Sequence, residues 1–205
     1  MGVRIIGVCG RKRHGKDTVG GFLRDEANFT QLAFADPIKR IAMDLYGFSY
    51  AQCFGTTADK ETVDPRYGFS PRHAMQQIGT EMFRRLYEPT WVDYAKTTID
   101  RALAGQNPLI HSHQAKAFLP TSLVARDPSR WVLTDVRYPN EAEAIRRWGG
   151  TVWKVVRPSI LEGLDDTHTS ETSVDLIEPD HLIVNDGTLE DLRAKVLEVL
   201  ALPEL

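Results

Sequence analysis

An α/β fold, a parallel sheet flanked by helices, is what this 205-residue chain predicts, and three observations carry that expectation. Short apolar, β-branched segments alternate with longer segments of helical periodicity, the pattern of strand–helix units. The first strand runs into a glycine-bounded basic loop, Gly10–Thr18, and then into a helix, the layout of a loop that wraps phosphate. The composition, 42% hydrophobic and 26% charged, is too apolar for a disordered chain and too mixed for a coiled coil or fibrous repeat. The length favours a single domain over residues 1–205. A formal net charge of −3 argues against a binder of nucleic acid polymers, which would carry a basic excess. No apolar run approaches the roughly 18 residues of a membrane span, so no membrane partner is expected, and Met1–Lys16 lacks a signal-peptide layout. Cys9 and Cys53 are the only cysteines, which excludes a disulfide framework and makes a reducing cytoplasm the expected location.

Taken in order, Val3–Cys9 is rich in β-branched residues and stops at Gly10, as a buried strand would. Asp17–Asn28 places Val19, Phe22 and Leu23 at helical spacing, and Phe29–Phe34 is a second strand candidate. Asp36-Pro37 opens a helix through Tyr46, because Asp accepts from free N–H groups and Pro suits the first helical position. Gly47–Phe69 has little periodicity and reads as irregular. Pro71–Tyr87 and Trp91–Ala104 are two further helices, broken at Glu88-Pro89-Thr90. Gly105–Arg130, with Asn107-Pro108, Pro120 and Asp127-Pro128, reads as a long loop. The alternation then resumes with strand Trp131–Thr134, helix Asn140–Trp148, strand Thr151–Val156 and strand His181–Val184. Thr188, three residues before Asp191, caps a last helix reaching about Leu200.

In sheets of this kind ligands bind beyond the carboxyl ends of the strands, so those ends hold the candidate chemistry. Gly10-x4-Gly15-Lys16 lets the backbone close around phosphate oxygens, with N–H groups and a helix N-terminus facing them and Lys16 reaching the outer phosphates. Of the basic residues inside the loop, Arg13 is best placed to point across the phosphates. Asp17 stands where the common motif has a hydroxyl and Thr18 follows; which of the two meets a magnesium ion stays open. The strand Trp131–Thr134 ends in Asp135, with Arg137 two residues on. The carboxylate suits a magnesium ion or its waters and the guanidinium a transferring phosphoryl group; an ion pair capping the strand is the alternative. Arg157 follows the next strand. Lys16, Arg137 and Arg157 are expected to converge on one crevice, a costly arrangement unless a polyanion lies between them. Pro158–Asp175 is polar and reads as a lid over the phosphates, with His168 and Glu171 as its candidate contacts. On the Pro71–Tyr87 helix, Arg72, Gln76 and Thr80 recur every four residues and share a face, either an acceptor-binding wall or a solvated polar face.

Together, Gly10-x4-Gly15-Lys16-Asp17-Thr18, Ala35–Lys39, Arg72 with Met75-Gln76, Gly79-Thr80-Glu81, Asp135–Glu141, Val156-Arg157-Pro158, His168-x-Ser170-Glu171 and Asn185–Thr188 resemble, in order, the bacteriophage deoxynucleoside monophosphate kinases. The likeness runs over nearly the whole chain apart from Gly47–Phe69 and Gly105–Arg130. It implies a P-loop kinase fold: a core, a helical acceptor-binding region over about residues 36–104 and a lid over about 158–175. The implied reaction is ATP-dependent phosphorylation of a deoxynucleoside 5′-monophosphate with Mg²⁺, often by a homodimer. By position, Gly10, Arg13, Gly15, Lys16, Asp17 and Thr18 would bind ATP. Lys16, Asp135, Arg137 and Arg157 would serve transfer, Thr18 and Asp135 the metal, and Asp36, Lys39, Arg72, Gln76, Thr80 and Glu141 the acceptor. Two alternatives stand beside it: a small-molecule kinase of the phosphomevalonate type, and a non-catalytic nucleotide-binding protein.

Overall fold

The structure, a computed structural model, describes residues 2–160 and 173–202. Its elements are β1 (Arg4–Cys9), α1 (Lys16–Ala27), β2 (Thr30–Leu32), α2 (Asp36–Tyr46), α3 (Tyr50–Phe54), α4 (Thr57–Glu61) and α5 (Pro71–Gln76), which continues as a π-helical segment, Gln77–Arg84. Then come α6 (Thr90–Leu103), a hairpin of β3 (Leu109–Ser112) and β4 (Ala117–Pro120), α7 (Thr121–Val124), β5 (Arg130–Val136), α8 (Pro139–Arg147), β6 (Thr151–Val156), a 3-10 turn Ser173–Leu176, β7 (His181–Val184) and α9 (Leu189–Ala201). Five strands form a wholly parallel sheet in the order β2-β5-β1-β6-β7, so the α/β fold expected from the alternation is the one observed. The chain leaves β1 to build one side through β2 and β5, then the other through β6 and β7. A crevice therefore opens at the carboxyl end of β1, where the order reverses.

Alternating side chains of the strands feed two cores. Ile5, Leu133, Val136 and Val152 pack with Trp91, Ala95 and Ile145 from α6 and α8. Ile6, Val8, Val132 and Trp153 pack with Val19 and Leu23 of α1 and Leu192 and Val196 of α9. Helix α1 lies so close to β5 that a Cβ on Gly20 would stand 2.3 Å from Thr134 Cγ2. Gly20→Ala should therefore cost about 1–3 kcal/mol of stability through overpacking, read as a lowered midpoint in urea.

Three expectations need correction. Gly47–Phe69 is not irregular: it contains α3 and α4, each closed by a capping box, Ser49 with Gln52 and Thr56 with Asp59. Gly105–Arg130 is not a plain loop: β3 and β4 pair antiparallel from Leu109 opposite Pro120 to Ser112 opposite Ala117, turning through Lys116 at φ 52°. The strand expected over Phe29–Phe34 stops at Leu32, because the N–H groups of Phe34 and Ala35 donate to the Asp135 carboxylate at 2.7 and 2.8 Å instead of to a neighbouring strand. The lid residues His168 and Glu171 lie outside the described residues. Among the described residues, no helix is long and apolar enough to cross a membrane.

Candidate active site

The phosphate loop is shaped by what it touches. Gly10 sits at φ 152°, where a Cβ would meet the Val155 carbonyl oxygen of β6 at 2.6 Å. Gly15 caps α1 at φ 107°, and a Cβ there would lie 2.8 Å from Asn185 Nδ2. That amide donates to the His14 carbonyl at 3.0 Å, pinning the loop to the end of β7. Glycine tolerates both backbone angles and both approaches. Beside the loop is a cavity of about 500 Å³ lined by Arg13, Gly15, Lys16, Asp17, Thr18 and Arg157, with Asn185, Gly187–Leu189 and Leu192 opposite. Arg13 reaches it from a backbone at φ 68°. Arg11 is directed elsewhere, to Asp175 at 2.6 Å.

A second cavity, about 200 Å³, lies along α5 and its π-helical extension. Phe34, Ile38 and Trp91 give it apolar surface, and Arg72, Gln76 and Thr80 all line it, as their four-residue spacing predicted. Lys39, Lys60, Arg84, Asp135, Arg137, Tyr138 and Glu141 complete the wall. The indole N–H of Trp91 donates to the Gly79 carbonyl at 2.9 Å, tying α6 to the widened π segment. A π register of this kind recurs at functional sites.

Three acids that sequence reasoning assigned to ligands instead hold the frame. Asp36 is buried and lines neither cavity; it accepts from the Ala33 N–H at 3.1 Å and from Lys39 Nζ at 3.3 Å, so it steadies Lys39. Asp135 lines the cavity along α5, not the phosphate-loop cavity, and its oxygens receive the Phe34 and Ala35 N–H groups. Burial raises its carboxyl, with Lys39 opposing. Its place is that of a brace between β5 and the β2–α2 turn, outside the lining of the phosphate-loop cavity that holds Asp17 and Thr18. Glu141 accepts from the Arg137 N–H at 2.8 Å, the Tyr138 N–H at 3.1 Å and Arg84 Nη2 at 2.6 Å. Arg84 in turn lies 3.8 Å from the Tyr138 ring centroid and bonds Asn140 at 3.2 Å.

Burial pushes Glu141 up to about 7, against the pull of Arg84. A carboxyl raised from its ordinary 4.5 to about 7 makes the folded chain bind more protons than the unfolded chain between those values. This group's contribution to stability therefore falls as pH rises through that window. Glu141→Gln removes the dependence: the melting temperature of the wild type relative to this variant should climb as pH is lowered from 8 to 5, and a constant difference would contradict the assignment.

The three cations expected to converge on one crevice do not share one cavity. Lys16 and Arg157 line the phosphate-loop cavity, and Arg137 lines the other. The phosphate loop and α5 are nevertheless tied together. Glu61 of α4 lies 3.6 Å from Lys12 of the loop and 3.2 Å from Arg72 of α5. The Lys60 amine is lowered first by burial and then by the charges of Lys39, Arg72 and Lys16, with Asp17 opposing. Sequence reasoning missed Lys60, Arg84 and Tyr138 as lining residues. Arg84 continues the Arg72, Gln76, Thr80 row by four residues, a signal present in the sequence; Lys60 sat in the stretch read as irregular.

Residues 4–66 and 47–196 match the family model described as deoxynucleotide monophosphate kinase. The chain belongs to the deoxynucleotide monophosphate kinase family. A protein of Acanthamoeba polyphaga mimivirus, named as a candidate deoxynucleotide monophosphate kinase, is 33% identical over 94% of each chain. The deoxynucleotide monophosphate kinases of Enterobacteria phage T4 and Escherichia phage RB69 are each 29% identical, over 64% and 75% of this chain. The matches span 46% and 54% of those two phage proteins, about half their length. The fold is α/β, a parallel sheet with a phosphate loop after its first strand, and the activity is nucleotide phosphorylation, which the family favours over both the phosphomevalonate-type and the non-catalytic alternatives.

Proposed function

We propose that ATP occupies the phosphate-loop cavity, that a deoxynucleoside 5′-monophosphate occupies the cavity along α5, and that the γ-phosphoryl passes between them. The observation that carries this is a pair of cavities at one sheet edge, one floored by the phosphate loop and one walled by Lys39, Arg72 and Arg137, with the loop tied to α5 through Lys12, Glu61 and Arg72. An oxygen of the acceptor phosphate forms a bond to the γ-phosphorus as the bond to the ADP oxygen breaks. Positioning and charge neutralisation supply the catalysis in such a transfer. Lys16, Arg13 and Arg157 hold the triphosphate, and the loop N–H groups and the α1 N-terminus add partial positive charge. Asp17 and Thr18 are hard oxygen donors within the same cavity, a set suited to Mg²⁺ that keeps some of its waters. The ion would neutralise phosphate charge.

On the acceptor side Arg72, and with it Lys39, takes the monophosphate, since a guanidinium pairs with phosphate oxygens. Gln76 and Thr80, each able to donate and accept, face the base and sugar. Arg137, two residues beyond the braced Asp135, meets charge on the transferring group. Cys9 and Cys53 are buried free thiols, both pushed up to about 11 by burial. Such inert thiols accord with a reducing cytoplasm, in keeping with the viral hosts of the relatives. The test is a coupled assay with ATP and Mg²⁺ across matched deoxyribose and ribose monophosphates. Turnover of at least one deoxynucleotide, faster than of its ribose counterpart, is expected; failure with every deoxynucleotide contradicts the proposal.

A further inference from the structure

We propose that Lys60, on the short helix α4 and in the wall of the cavity along α5, is a further catalytic cation, and that Glu61 is the positioning residue that holds it there. The inference deepens the proposed phosphoryl transfer and rests on it. Lys60 lines the acceptor cavity and is half-buried, yet its amine makes no hydrogen bond or ion pair among the described residues. Its charged surroundings come from both substrate sites: Lys39 and Arg72 from the acceptor wall, Lys16 and Asp17 from the phosphate loop. An ammonium left unpaired in such company is costly, and the cost is recovered when an anion arrives between these groups. In this molecule the anion that passes there is the transferring phosphoryl group.

Glu61 explains why Lys60 stands in that place. Its carboxylate is committed to Lys12, at 3.6 Å, and Arg72, at 3.2 Å, one from each side. The contacts tie the last residue of α4 to the phosphate loop and to α5, and Glu61 pairs with these two cations and not with the neighbouring amine. Helix α4 is five residues long, buries none of them, and is closed at its start by the box of Thr56 and Asp59. During transfer Lys60 keeps its proton and donates a charge-assisted hydrogen bond to the phosphoryl oxygens. The only bonds exchanged are the new one from the acceptor oxygen to phosphorus and the old one from phosphorus to the ADP oxygen.

Lys60→Met keeps the length of the side chain and removes its charge, and because α4 buries no residue the fold should survive. With the best deoxynucleotide, kcat should fall about 100-fold, the loss typical when one preorganised stabilising group is removed. ATP affinity, measured by equilibrium binding without acceptor, should stay within about threefold of wild type, since the contact tightens only in transfer. Lys60→Arg should recover most of the rate. Glu61→Gln should slow turnover about tenfold, and the Lys60→Met/Glu61→Gln double variant should be no slower than Lys60→Met alone, because the two residues act as one unit. A Lys60→Met enzyme within threefold of the wild-type kcat would overturn the catalytic role, and multiplying effects in the double variant would overturn the positioning role. If Lys60→Met does not fold, Lys60→Gln takes its place in the same comparison. A wild-type enzyme that phosphorylates no deoxynucleotide would instead sink the underlying transfer, so the two failures are distinguishable.

Discussion

Lys16→Ala lowers kcat by about 100- to 1,000-fold, with a smaller loss in ATP binding. Lys16 is the first residue of α1 and lines the phosphate-loop cavity with Arg13 and Arg157. Its ammonium can follow the outer phosphates as charge shifts during transfer, whereas the loop N–H groups are fixed to the backbone and go on binding the inner phosphates. Binding energy realised only in the transition state appears in kcat, and energy shared with the ground state appears in affinity. Steady-state kinetics alongside equilibrium ATP binding separate the two. If turnover at saturating ATP stays intact and only affinity is lost, Lys16 serves as an anchor and has no part in transfer.

Arg137→Ala is the second large effect: kcat falls by about 100-fold, and KM for the deoxynucleotide changes much less. Arg137 lines the cavity along α5 from just beyond the end of β5, and its backbone N–H is fixed by Glu141 at 2.8 Å. Two residues earlier, Asp135 is clamped to the β2–α2 turn. A guanidinium on so fixed a backbone is preorganised for charge that develops in the transition state. Matched changes in KM with kcat unchanged would instead make Arg137 a ground-state phosphate contact.

Much of the architecture could be read from the sequence because it is written locally. The strand, loop and helix around Gly10–Thr18 form a short contiguous code, and the β-branched segments of β1, β5, β6 and β7 stand out between helices. The Arg72, Gln76, Thr80 row survived even where the helix widens, because a four-residue step keeps one wall in both registers. What escaped reading depends on distance in the chain. Asp135, Asp36 and Glu141 look like ligand carboxylates in sequence, and only folding shows that each is occupied by backbone N–H groups or neighbouring cations. Helices α3 and α4 carried readable capping boxes, but at five residues each they lack the length that makes periodicity visible. The hairpin β3–β4 was masked by Pro108 and Pro120 at its ends. The division of Lys16, Arg137 and Arg157 between two cavities is a product of sheet order that no single segment records.

A bisubstrate compound, adenosine joined through a pentaphosphate to a deoxynucleoside, tests most directly whether the two cavities are the two ends of one phosphoryl transfer. It should compete with both ATP and the deoxynucleotide, and bind at least about 100-fold more tightly than either alone, since one molecule then gains both sites for one loss of translational freedom. Competition with ATP only, at an affinity no better than that of ATP, would contradict the account.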